Sequence, residues 1–255
     1  MSEKQASEKS DKRIIFGMHP IVEALENGKP LEKIMLKKGV SPDRVADVRK
    51  LAAKAEIPIQ YVPDEKLYKL SKTDRHQGAV AFISAIEYQP LEETLIAIQD
   101  QDETPLVVML DGVTDVRNFG AIARSAECLG AHAIIVPRTG AAPANGVALK
   151  TSAGALHHIP VCRVNHLVDA IMMLQSYGIK TIACSEKSEK TIYQTDFIEP
   201  TCLIMGSEEK GVSGSILKRV DGRCSIPMMG AISSLNVSVA AGIILSEVAR
   251  QRFNQ

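Results

Sequence analysis

Tryptophan is absent from this chain of 255 residues, and phenylalanine and tyrosine number five each. So few aromatic rings argue against a broad platform on which nucleic-acid bases could stack. Cysteine pairing is missing as well: Cys128, Cys162, Cys184, Cys202 and Cys224 are odd in number and contain no CxxC pair. That pattern fits reduced thiols in apolar surroundings better than a disulfide framework or a zinc site. Cys184 stands apart, because it ends an apolar strand candidate and is expected to face whatever binds there. No apolar run approaches the roughly 18 residues of a membrane span, and the first twelve residues lack an apolar signal-peptide core, so a cytoplasmic location is expected.

A charge excess is lacking too, since 30 Lys and Arg face 30 Asp and Glu. Residues 1–89 carry 16 bases and 13 acids, residues 90–104 no base and five acids, and residues 105–255 14 bases and 12 acids. Both flanks are mildly basic, which permits an RNA partner without demanding one. The usual nucleotide-site signatures do not occur. The loop Asp111-Gly-Val-Thr-Asp-Val-Arg-Asn-Phe-Gly120 breaks the G-x-G-x-x-G spacing, and Gly206-Ser-Glu-Glu-Lys-Gly211 ends without the Gly-Lys-Ser/Thr of a P-loop. A nicotinamide oxidoreductase is thereby disfavoured. His157-His158 has no cysteine or carboxylate at ligand spacing and reads as surface or packing, so no metal is expected.

What is present is a patterned α/β chain, 45% apolar and free of internal repeats. Residues 1–12 mix charged and small polar types without an apolar period and read as a disordered tail. Short helical and strand patterns alternate over 13–88 and predict a small α/β domain, with His19 at a helix start and Asp64 as a helix N-cap. Pro90 to Ile98 has helical spacing and an acidic turn follows it, so 89–104 reads as a linker. Beyond it, apolar strand candidates lie at 106–110, 133–136, 159–164, 181–184, 202–205 and 224–227, with helical patterns between most of them and a long helix from Leu235 to Phe253. Continuous apolar strands alternating with helices imply a parallel sheet covered on both faces.

In such sheets ligands bind beyond the carboxyl ends of the strands. Three polar segments follow strand ends: Asp111 to Arg124, Gly206 to Gly211, and Met228 to Asn236. On glycine content alone these are ordinary turns. Taken in order they say more. Asn118 and Arg124 with Gly120 between them, then Gly206-Ser-Glu-Glu-Lys-Gly211, then Ser234-Leu-Asn-Val-Ser-Val-Ala240 resemble the three signature motifs of the SpoU (TrmH-type) family of RNA ribose 2'-O-methyltransferases. Phe16 to Leu25 and His76 to Ala81 likewise resemble the opening and closing signatures of the L30e-like RNA-binding domain that precedes the catalytic domain in RlmB-type members. The resemblance runs from about Arg13 to Arg250.

The resemblance implies a SPOUT-type parallel-sheet domain over 105–255 with a deep trefoil knot, an exception to the rule that chains do not thread loops. It implies S-adenosyl-L-methionine as cofactor, and Cys184, Met205, Gly206, Gly211, Ile226, Met228 and Leu235 are the residues expected to hold it. Asn118, Arg124, Glu208, Ser234 and Asn236 are expected to serve catalysis, in a homodimer joined through the final helix. A guanosine of large-subunit (23S) ribosomal RNA is the favoured substrate, with transfer RNA, or a non-catalytic RNA-binding role, as alternatives. The family's proposals make Arg124 the base, yet a guanidinium with a pKa above roughly 12 is a poor one. Arg124 is therefore expected to grip a neighbouring phosphate and lower the pKa of the hydroxyl, while the other four align the ribose and the loops. Ser233 and Ser234 are also candidate caps for the final helix.

Overall fold

The computed structural model describes residues 14–101, 103–186, 188–232 and 234–253. The expected tail over 1–12 and the capping candidate Ser233 lie outside them. The chain forms two compact units, one reaching Glu87 and including Pro143–Gly146, the other comprising Tyr88–Ala142 and the chain from Val147 onward.

In the first unit, β1 (Ile14–Phe16), β2 (Leu31–Lys37), β3 (Ile59–Val62) and β4 (Ala79–Ile83) form a sheet in the order β1-β4-β2-β3. Only β2 and β3 run parallel. Because strand side chains alternate between faces, Ile34 and Leu36 of β2 meet Ile21 and Leu25 of α1 (Met18–Glu26) and Val48 and Ala52 of α2 (Ala46–Lys54). Met35, between them, points the other way onto Val62, Val80 and Leu67 of α3 (Asp64–Ser71). Two expectations shift by a residue or two. Pro63, fixed in an extended conformation, is the N-cap of α3, and Asp64 is its first helical residue, paired instead with Lys37 Nζ at 3.0 Å. Gly17, at φ 94°, occupies the N-cap of α1, so His19 lies inside the first turn, exposed.

The second unit is built on six strands: β5 (Leu106–Asp111), β6 (Ala133–Pro137), β7 (Val161–Val164), β8 (Lys180–Cys184), β9 (Thr201–Gly206) and β10 (Gly222–Cys224). Every pairing is parallel, in the order β10-β8-β9-β5-β6-β7. Between and around them run α4 (Leu91–Gln99), α5 (Val116–Cys128), α6 (Gly146–Thr151), α7 (Leu167–Ser176), α8 (Gly214–Leu217) and α9 (Val237–Phe253). The stretch 89–104, read as a linker, contributes to this core: Leu91, Leu95 and Ile98 of α4 pack with Val107, Met109, Cys162 and Ile171. The last strand closes earlier than expected, at Cys224 rather than at Pro227.

Strand register sets the level at which the loops leave the sheet. Asp111 stands opposite Gly206, Met205 opposite Cys184, and Cys184 opposite Cys224. Four strands therefore end along one edge. At the far end of the last helix, Arg252 donates to the carbonyls of Thr104, Pro105, Phe197 and Glu199, pinning α9 to the entries of β5 and β9. Burial lowers the pKa of this guanidinium. Cys162, Cys202 and Cys224 are buried as expected of structural thiols, whereas Cys128, at the end of α5, is exposed. No helix of the described residues is long and apolar enough to cross a membrane.

Asp221 fastens β10 to β8. Burial pushes its carboxyl pKa up, but hydrogen bonds from Thr181 N (2.8 Å), Thr181 Oγ1 (2.6 Å) and Gln175 Nε2 (3.0 Å) outweigh this and hold it below the ordinary carboxylate range. A depressed folded-state pKa gives stability that is present above the unfolded value of about 3.9 and lost as pH falls through the folded one. Asp221→Asn is expected to cost about 1 kcal/mol at pH 7, with the gap to the unaltered chain closing below about pH 4. Thermal melting across pH 3–7 checks this, and a pH-independent gap would contradict it.

Candidate active site

The site begins where β5 ends. Gly112 turns the chain at φ 74°, and the Asp115 carboxylate then accepts from the amides of Arg117 (2.7 Å) and Asn118 (3.2 Å), capping α5. A carboxylate at a helix N-terminus also complements the helix dipole. Asn118 is thereby fixed in the first turn of α5, half-buried.

The second component is the loop after β9. A Cβ on Gly206 would collide with the carbonyl group of Gly211 and the amide of Val212. Only glycine lets the chain fold back so closely. Ser207 and Gly211 close that fold with reciprocal backbone hydrogen bonds of 3.1 and 2.9 Å, and Gly211 takes a φ of 66°. Asp111 Oδ2 accepts from Ser213 N at 2.7 Å, tying the end of this loop to the end of β5. Glu208 is presented from the folded-back segment.

Asn236 completes the arrangement from the start of α9. Its Oδ1 accepts from Ser238 N (2.9 Å), Ser238 Oγ (2.6 Å) and Val239 N (3.4 Å), so Asn236 caps the helix, a role that Ser234 does not take. Its Nδ2 donates to Glu208 Oε1 at 2.9 Å and to Asn118 Oδ1 at 3.1 Å, while Asn118 Nδ2 donates to the same Glu208 Oε1 at 2.6 Å. Residues separated by 90 and 118 positions in the chain thus share one closed triangle of hydrogen bonds. Hydrogen bonds to an ionised carboxylate are the shorter and stronger kind.

Beside this triangle lies a cavity of about 370 Å³, within the size range of small-molecule sites. Cys184, Met205, Gly206, Gly211, Ile226, Met228 and Leu235 all line it, as do Glu208 and Ser234. Ser185, Glu186, Lys210 and Val212 line it too, and none of them belongs to the set expected from the sequence. Ser185 and Glu186 follow β8 directly, so the rule that loops beyond strand ends build the site would have found them. Inside the cavity wall, Cys224 Sγ lies 4.0 Å from Cys184 Sγ, and that contact, with burial, pushes the Cys184 thiol well above its ordinary pKa. A thiol held protonated is a poor nucleophile, so Cys184 acts here as a wall. Arg124 is different. It lies on α5 six residues beyond Asn118, exposed, without a hydrogen bond or ion pair to a described residue, and it does not line the cavity. Among the described residues no group of three His, Cys, Asp or Glu side chains could hold a metal ion.

The second unit is a parallel sheet whose strand-end loops gather around a cavity at its carboxyl edge, and a small α/β unit precedes it in the chain. Residues 105–246 match the SpoU rRNA Methylase family and residues 14–89 match the RNA 2'-O ribose methyltransferase substrate-binding domain, and the chain belongs to the SpoU family. It is 36% identical to the 23S rRNA (guanosine-2'-O-)-methyltransferase RlmB of Yersinia pestis, over 94% of this chain and 97% of that protein. Identity to the RlmB of Neisseria meningitidis is 34%, over 95% of this chain and 97% of that one. Among solved structures, the SpoU methyltransferase AviRb from Streptomyces viridochromogenes, in complex with AdoMet, is similar with a TM-score of 0.61 at 27% identity, covering 100% of this chain and 95% of that one.

Gly206→Ala tests the construction of the site directly. The overlap is with backbone, which cannot swing aside, so the expected loss of stability is about 3 kcal/mol, at the upper end for overpacking. Chemical denaturation measures it, and a change under about 0.5 kcal/mol would mean the loop does not fold back on Gly206.

Proposed function

We propose that this chain transfers a methyl group from S-adenosyl-L-methionine to the ribose 2'-hydroxyl of a guanosine in 23S ribosomal RNA. The observation that carries the reading is the Asn118–Glu208–Asn236 triangle standing beside a cavity that all seven expected cofactor residues line. The family and the RlmB relatives support the same substrate class.

The cavity suits the cofactor. Met205, Ile226, Met228 and Leu235 offer apolar surface for an adenine, and Gly206 and Gly211, whose backbones pack on each other, stand in the same wall. When bound, S-adenosylmethionine supplies an electrophilic methyl group on a sulfonium. The chain's own residues then act in two ways. The triangle fixes three loops before substrate arrives, and orientation of this kind supplies a large part of a transfer barrier. Arg124 acts on charge. Its guanidinium grips a phosphate next to the target ribose and stabilises the developing alkoxide, while the proton leaves to water or to that phosphate.

Arg124 does not line the cavity of its own chain. A homodimer resolves this, because a second copy can bring its α5 to the site. The segment that would pair is unusually greasy: Met229 is 98%, Ile232 75% and Val239 50% exposed, and Met228 and Leu235 are also exposed. Exposed apolar residues in one short stretch mark an interaction surface. The deep knot implied by family resemblance and a cytoplasmic location belong to the same reading.

The test is methyl transfer from isotopically labelled S-adenosylmethionine to 23S ribosomal RNA, with transfer RNA as competitor. Labelled ribose in ribosomal RNA is expected; labelled transfer RNA alone, or none, contradicts the reading. Arg124→Lys should lower kcat at least about tenfold, because a point charge cannot reproduce a two-pronged grip. Near-full turnover in that variant would contradict the phosphate-gripping role.

A further inference from the structure

Between Glu127 and Asp169 lie 41 residues without a single aspartate or glutamate, in a chain whose acids equal its bases. The stretch carries Arg138, Lys150 and Arg163, and it folds into β6, α6 and β7. These strands continue the sheet from β5, with Met109 opposite Ile135 and Pro137 opposite Val164. Arg138 and Asn165 therefore leave the sheet on the same edge as the loop that leads to Asn118. Neighbouring strands are about 4.8 Å apart, so these two residues stand roughly 5 and 10 Å sideways from the end of β5.

Local contacts hold the cations there. Arg138 Nε donates to Asn165 Oδ1 at 2.7 Å, which orients the guanidinium along the edge, and His166 follows, exposed. The helix α6, which carries Lys150, packs on α5 at Gly120, two residues past Asn118. A Cβ on Gly120 would lie 2.6 Å from Ala148 O and 2.8 Å from Thr151 Cβ, so the glycine is what admits α6 this close. Lys150 is exposed and forms no ion pair with a described residue. Two acids beside the end of β5 are engaged elsewhere: Asp115 caps α5, and Asp111 accepts from Ser213. Asp169, four residues past Asn165, lies in the first turn of α7. The histidines at 132, 157 and 158 sit near the strand entries, on the opposite edge, and take no part.

We propose that the carboxyl edge of β6 and β7, with Arg138, Lys150, Asn165 and His166, is a phosphate track that holds the RNA strand adjoining the methylated ribose. The inference rests on the RNA-methylating reading above and adds where the strand runs. Phosphate contacts fix position without reading sequence, which suits a surface this poor in aromatic rings.

Counterion release makes the track measurable. Each phosphate contact with a single strand contributes about 0.7 to the slope of log affinity against log salt. For a 23S ribosomal RNA transcript, Lys150→Gln is expected to flatten that slope by about 0.7 and the Arg138→Gln/Lys150→Gln double variant by about 1.4. KM for RNA should rise several-fold in both, with kcat and the calorimetric affinity for S-adenosylmethionine unchanged. Lys218→Gln, just past α8 and outside the 128–168 stretch, should leave the slope alone. Unaltered slopes in Lys150→Gln and the double variant, with RNA binding intact, would overturn the track. RNA binding by the unaltered chain without methyl transfer would overturn the functional reading instead, while the slopes still decide the track.

Discussion

Six consecutive residue pairs, from Leu106 against Thr201 to Asp111 against Gly206, lock β5 to β9 in parallel, and both strands stop at the same level. Had the register slipped by one residue, side chains on each strand would exchange faces and the two loops beyond them would leave at different heights. Asp111 would then miss Ser213, and the turn at Gly206 would no longer face the start of α5. The site is an outcome of strand register before it is an outcome of side-chain chemistry. Arg252, clasping carbonyls at the opposite ends of these same strands, holds α9 against that pair and so fixes where Asn236 begins its helix.

Much of this is legible in the sequence, for different reasons in different places. The strands of the second unit are continuous apolar runs, and a run such as Leu106 to Leu110 can hardly be anything but a buried strand between helices. The three polar loops, ordinary turns on glycine content alone, are legible only because in order they resemble the signature motifs of the SpoU family. Harder to see are elements whose identity depends on a partner. Three-residue β1 is too short to show a period, and it exists because β4 pairs with it. The helix α4 has the right spacing, but only packing against Val107 and Ile171 makes it part of the second core instead of a connection. Capping is misread where two polar residues compete: Asn236 rather than Ser234 caps α9, because its amide can serve the helix with its oxygen and the triangle with its nitrogen. Asp64 yields the cap position to Pro63, whose fixed φ already supplies the extended turn.

That Arg124 stands apart from Asn118 follows once both are seen to lie on one helix, α5. Six residues along a helix place two side chains about 9 Å apart and on different faces. One face of α5 serves the triangle, and the other carries a cation without a partner among the described residues. The division gives the proposed dimer a chemical purpose: a preorganised set of loops in one subunit, and a phosphate-gripping cation delivered by the other. An exposed apolar stretch around Met229 and Ile232 gives it a physical one.

The central claim is that Asn118, held by Glu208 and Asn236, orients the ribose and does not build the cofactor cavity. Steady-state kinetics of Asn118→Ala, read beside its calorimetric affinity for S-adenosylmethionine, addresses this most directly. The account predicts a fall in kcat/KM for RNA of roughly a hundredfold, with cofactor affinity kept within about threefold. Turnover close to that of the unaltered chain, or a collapse of cofactor affinity that explains the whole loss, would contradict it.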